Sequence, residues 1–228
     1  MKKFPVILII FLISSLILNT PTFSQEKFDP KRFEEEIKQF EEMDKIHFPT
    51  LSGIVFTGSS SIKVWKTIPE DFAPFNAINR GFGGCFTSDV VYYADRVILP
   101  YKPSMVVLYI GDNDINSGKT PETVFDDFKT LVNYIHKSLP KTFIFYISIK
   151  PSVNRWALWE KMKKANELIE KFAKKNELVD FIDISPTLLG KDVKPRPELF
   201  ADGLHLNADG YKLWTSLVRK HIINYLAK

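Results

Sequence analysis

The sequence predicts an α/β domain of three layers, a parallel sheet of about five strands with helices on both faces, and two patterns predict it. Short apolar runs rich in β-branched and aromatic residues alternate along the chain with stretches of helical periodicity. The apolar runs lack polar alternation, as strands do when crossover helices cover both faces of their sheet.

The first helix is expected over residues 31–45, where Phe33, Ile37, Phe40 and Met43 share one face and Glu34, Glu35 and Glu42 lie elsewhere. Strands are expected at 53–57, 77–79, 105–110, 143–149 and 179–182. Helices are expected between them near 61–69, 87–97, 121–138 and 157–175, with a last one from 208 to 226. Thr120 and Pro121 read as the N-cap and first position of the helix at 121. Phe125, Phe128, Val132 and Ile135 share a face there, as do Leu158, Met162, Ala165, Ile169 and Phe172 in the next helix. Tyr92 and Tyr93 read as core. A βαβα order implies right-handed crossovers, and such sheets bind ligands outside the carboxyl ends of their strands.

The chain opens differently. Lys2 and Lys3 precede an apolar run over 6–18, and Ser24 ends the stretch with a small residue. That order is the pattern of an export signal, and the run is shorter than the ~20 residues a membrane span needs. The expectation is a signal peptide at 1–24, cleavage before Gln25 and one domain over 25–228. The product would be exported, periplasmic or secreted, with no stable membrane span. Retention of the segment as a tether is the rival expectation. Removing 1–24 takes away two lysines and no acids, so the net charge falls from +4 to +2. A value so near neutrality gives no case for nucleic acid or an anionic membrane surface as a partner. Cys85 is the single cysteine, so no internal disulfide can form.

The residues at the predicted strand ends carry the chemistry. Thr57-Gly58-Ser59-Ser60-Ser61 follows the first strand and leads into a helix, which suits either a Ser-rich N-cap or a nucleophile beside free backbone N–H groups. Gly81-Phe82-Gly83-Gly84 follows the second strand. Its glycines allow unusual backbone angles, and its spacing matches neither the dinucleotide fingerprint nor a P-loop. Gly111-Asp112-Asn113-Asp114 follows the third, a turn-forming set in which a neutral Asn can also donate to an anion. Before the last helix stands Asp202-Gly203-Leu204-His205. A carboxylate three residues before an imidazole can reach its Nδ1, set the tautomer and leave Nε2 free to take a proton.

The order Ser, Gly, Asn, Asp-x-x-His resembles the GDSL, or SGNH, family of serine esterases and lipases, over residues from about 53 to 215. The resemblance implies the flavodoxin-like SGNH hydrolase fold. It makes Ser60 the nucleophile, by register with Gly58, and His205 the base, oriented by Asp202. Gly84 and Asn113 become oxyanion donors beside the N–H of Ser60. It implies hydrolysis of carboxylic esters through an acyl-enzyme, without metal or organic cofactor. The substrates would be small-molecule, lipid or carbohydrate esters, such as short acyl groups, acetylated sugars or lysophospholipids. Ser59 and Ser61 stand where the family has Asp and Leu, and Cys85 where an Asp often follows the glycine. The run from Gly58 to Ile62 with Trp65 resembles a lysophospholipase-like and acetylhydrolase-like bacterial subgroup. Trp65, Phe82, Arg155 and Trp156 are candidates to line the acyl pocket. Acyl transfer to a sugar hydroxyl is the closest alternative. A metal-dependent hydrolase using Asp112, Asp114, Asp202 and His205, and a binding protein without catalysis, are the remaining ones.

Overall fold

The computed structural model describes residues 29–227. The expected export signal and its exit at Gln25 lie outside the described residues. Asp29 caps a 3-10 turn, Pro30–Phe33, that leads into α1 (Glu34–Ile46). Phe33 and Ile37 are buried, Phe40 packs partly, and Met43 is exposed, so the apolar stripe of α1 leaves the core in its last turn.

The chain then runs through β1 (Ile54–Gly58), α2 (Ser60–Lys63), α3 (Ile68–Asp71), β2 (Ala77–Gly81) and α4 (Thr87–Val97). There follow β3 (Met105–Tyr109), α5 (Asp112–Asn116), α6 (Pro121–Ser138), β4 (Phe143–Ile147) and α7 (Trp159–Ala173). The last elements are β5 (Val179–Ile182), α8 (Ser185–Leu188) and α9 (Ala208–Leu226). The single helix expected over 61–69 is instead two short ones. Pro69 offers no N–H and its ring would collide with the carbonyl of Trp65 in a continuous helix. Thr120 does cap α6, accepting from the N–H of Thr123 at 3.2 Å, with Pro121 following.

The five strands form one parallel sheet in the order β2-β1-β3-β4-β5. Successive residues of each strand enter opposite cores. Val55, Val106, Leu108, Ile144 and Tyr146 pack with α4, α6 and α7. Phe56, Val107, Tyr109, Phe145 and Ile147 pack with Trp65 and, from α9, Trp214, Val218 and Ile222. Burial on both faces is why the sequence shows no polar alternation. The strand order reverses at β1 and β3, which is where a sheet of this order opens its binding crevice. Gly58 pairs with Gly81 and Tyr109 in register, so β1, β2 and β3 end level and their turns start from one edge.

Candidate active site

The turn after β1 is set by Gly58, whose φ of 131° suits glycine alone; a Cβ there would lie 2.0 Å from the Tyr109 carbonyl oxygen. The Ser59 N–H donates to that same carbonyl at 3.0 Å, which turns the chain into α2. Burial separates the three serines. Ser59 is buried with no hydrogen-bond partner for its Oγ among the described residues, and Ser61 is buried with its Oγ accepting from Lys150 Nζ at 3.0 Å. Ser60 is only partly buried, and its Oγ meets His205 Nε2 at 2.8 Å.

The opposite nitrogen of that ring, Nδ1, lies 2.7 Å from Asp202 Oδ2. Asp202 Oδ1 accepts from the backbone N–H groups of Leu204 and His205 at 2.9 and 2.7 Å. The imidazole and those two N–H groups hold its carboxyl far below the ordinary range. These contacts favour the ionised form of Asp202. Its side chain is 55% exposed and that of His205 27%, so the pair opens to solvent. Gly203, at φ 79°, closes the turn against Asn154, which donates from Nδ2 to the Asp202 carbonyl.

Gly84 also has a positive φ, 80°, with open space where a side chain would begin. Among the described residues no acceptor is hydrogen-bonded to the N–H of Ser60 or of Gly84. Asn113, in the first turn of α5, donates from Nδ2 to the Cys85 carbonyl at 3.1 Å. One hydrogen of its two-donor amide remains for another acceptor.

Hydrogen bonds join these turns in sequence around the sheet edge. Phe82 N–H donates to the Gly58 carbonyl, Thr87 N–H donates to Asp114, and Arg155 donates to Asn113. Asn154 N–H donates to the Gly203 carbonyl, bringing the loop after β4 onto the His205 turn. The structure thus gathers Ser60, Gly84, Asn113, Asp202 and His205 at one end of the sheet.

Two buried acids of the third turn have cations of their own. Burial would raise the Asp112 carboxyl, but the charges of Lys150 and Arg155 outweigh it and hold it below the usual range. Lys150 is itself pushed down by burial, against the pull of Asp112. Asp114 pairs with Lys119 at 2.9 Å. Both acids are thus paired with cations of this chain. Among the described residues no group of three or more His, Cys, Asp or Glu is arranged to hold a metal ion.

Several sequence expectations change here. Trp65 and Phe82 are both fully buried, and Trp65 also lines a cavity together with Leu206, Asn207 and Tyr211. Trp65 stacks on Tyr211 of α9, and Phe82 packs edge-on to Phe33 and Tyr93. Trp156 is half-buried, stacked on Trp159, while the Arg155 side chain is 12% exposed and turned onto Asp112 and Asn113. Tyr93 is core, but Tyr92 is exposed on the outer side of α4. Lys150 and Asn154 were not foreseen, because their partners lie tens of residues away in sequence.

Cys85 is fully buried, and burial together with Asp89 and Asp114 pushes its thiol well up. Iodoacetamide at neutral pH should leave the native protein unlabelled and modify Cys85 only after denaturation. Intact-mass spectrometry checks this, and labelling of the native protein would show that the thiol opens to solvent.

The family model described as the GDSL-like Lipase/Acylhydrolase family matches residues 58–213, a span that contains all five gathered residues. Among solved structures, the chain is similar to a protein of Streptococcus pneumonia assigned as a platelet activating factor. That match has 22% identity and a TM-score of 0.75, over 84% of this chain and 92% of that one. It is similar to a GDSL-like lipase from Bacteroides thetaiotaomicron, with 20% identity and a TM-score of 0.68, over 86% of this chain and 98% of that one. It is also similar to a carbohydrate esterase family 3 protein from Talaromyces cellulolyticus, with 16% identity and a TM-score of 0.61, over 78% and 99%. At such identities the structural likenesses establish the fold. No curated protein matches the sequence.

Proposed function

Since the chain belongs to the GDSL-like lipase/acylhydrolase family and is an ester-bond hydrolase, we propose that Ser60, His205 and Asp202 form its catalytic unit, with Gly84 and Asn113 as oxyanion donors. The observation that carries this is the continuous contact chain from Ser60 Oγ through both ring nitrogens of His205 to Asp202, at 2.8 and 2.7 Å. His205 Nε2 takes the Ser60 proton as Oγ attacks the ester carbonyl, and Asp202 fixes the tautomer and stabilises the imidazolium. The N–H groups of Ser60 and Gly84 and the amide of Asn113 receive the oxyanion. Collapse expels the alcohol, which takes the proton back from His205. Water, activated by the same base, then releases the acid.

The substrate is a carboxylic ester, and an acylated sugar is a natural class to test, given the likeness to a carbohydrate esterase. A panel of aryl esters of graded chain length, acetylated sugars and lysophospholipid separates these classes. Export through residues 1–24, with Gln25 as the mature N-terminus, is part of the same proposal. It rests on the basic start and apolar run of that segment.

A fluorophosphonate tests the nucleophile directly. Peptide mass spectrometry should find the label on Ser60. A label on Ser59 or Ser61 would overturn the assignment.

A further inference from the structure

We propose that Arg155 is a positioning residue that locks the Asn113 amide with its NH2 group facing the oxyanion, an inference that rests on Asn113 being an oxyanion donor. Arg155 Nη2 donates to Asn113 Oδ1 at 2.9 Å, while Asn113 Nδ2 donates to the Cys85 carbonyl at 3.1 Å. These two neighbours have opposite and unchangeable polarity. A guanidinium only donates, and a backbone carbonyl only accepts. Turning the amide over would set NH2 against the guanidinium and oxygen against oxygen, so both contacts would become repulsive. A free asparagine has no such bias, and a flipped one would aim its carbonyl oxygen at the developing negative charge.

Arg155 is itself held. Its Nη1 lies 3.1 Å from Asp112 Oδ2, the carboxylate next to Asn113, and its side chain is 12% exposed. Asp112 Oδ2 is held in turn by Tyr109 OH at 3.2 Å and lies 3.4 Å from Lys150 Nζ. One planar group therefore reaches two consecutive residues at the start of α5, hydrogen-bonding Asn113 through Nη2 and holding Nη1 in ion-pair range of Asp112. A lysine offers a single point charge and cannot hold both in this way. Lys150 touches Asp112 but none of its contacts reaches Asn113.

The test is a double-mutant cycle. Arg155→Met should lower kcat for an aryl ester by about 10–100-fold with KM little changed, less than the loss from removing the donor itself. In an Asn113→Ala background the same substitution should change kcat by less than about 3-fold, because no amide remains to be oriented. Arg155→Lys keeps a cation beside the buried Asp112. It should retain the wild-type melting temperature and still lose kcat, which separates positioning from folding. Equal Arg155→Met losses in both backgrounds, or a change confined to KM, would overturn the proposal. If Asn113→Ala alone left kcat unchanged, the oxyanion assignment would fall instead.

Discussion

Ser60→Ala should remove ester hydrolysis almost completely, with a fall in kcat of about 10⁶-fold, the size seen when a triad loses its nucleophile. The neighbouring serines are expected to behave differently for reasons of burial. Ser59→Ala deletes a buried hydroxyl that has no partner among the described residues, so activity and stability should both be kept. Ser61→Ala takes an acceptor from the buried Lys150 ammonium, and should cost about 1–3 kcal/mol of stability while the folded fraction remains active. Steady-state kinetics beside thermal melts measure all three. A loss in Ser59→Ala or Ser61→Ala as deep as that of Ser60→Ala, at an unchanged melting temperature, would move the nucleophile.

Asp202→Asn should depress kcat by up to about 10⁴-fold, through the tautomer it imposes on His205. Coulomb attraction alone cannot account for such a loss. The Asp202 side chain is 55% exposed, and two charges 4 Å apart in water gain only about 1 kcal/mol. Orientation must therefore supply most of the effect. The carboxyl is held far below its ordinary value, so it stays ionised as the pH falls from neutrality through the usual carboxylate range. The kcat/KM profile in that window should accordingly show no limb from protonation of Asp202. Asn113→Ala should lower kcat by about 10²–10³-fold with KM little changed. Adding either change to Ser60→Ala should cost little more, because partners of a missing nucleophile have nothing to assist. Losses that multiplied independently would mean that these residues bind substrate and not the transition state.

What the sequence determined by itself was whatever depends on near neighbours. The five strands were legible because apolar runs buried on both faces carry no polar alternation, and the boundaries shifted by only a residue or two. Pro121 after Thr120 marked the start of α6 for a purely local reason. Asp202 and His205 could be paired in advance because one turn spans the gap between them. Tertiary structure decided everything that depends on which face meets which element. Ser59, Ser60 and Ser61 are alike as letters, and only the packing of α2 leaves the middle one facing His205, 145 residues away. Tyr92 and Tyr93 are adjacent on α4 with their rings packed edge-on at 4.8 Å, and only the α1 and sheet contacts decide that Tyr93 is the buried one. Arg155 looked like a pocket residue because it follows a strand end. Its guanidinium meets Asn113 across 42 residues, and long-range pairing of this kind leaves no periodicity in a chain.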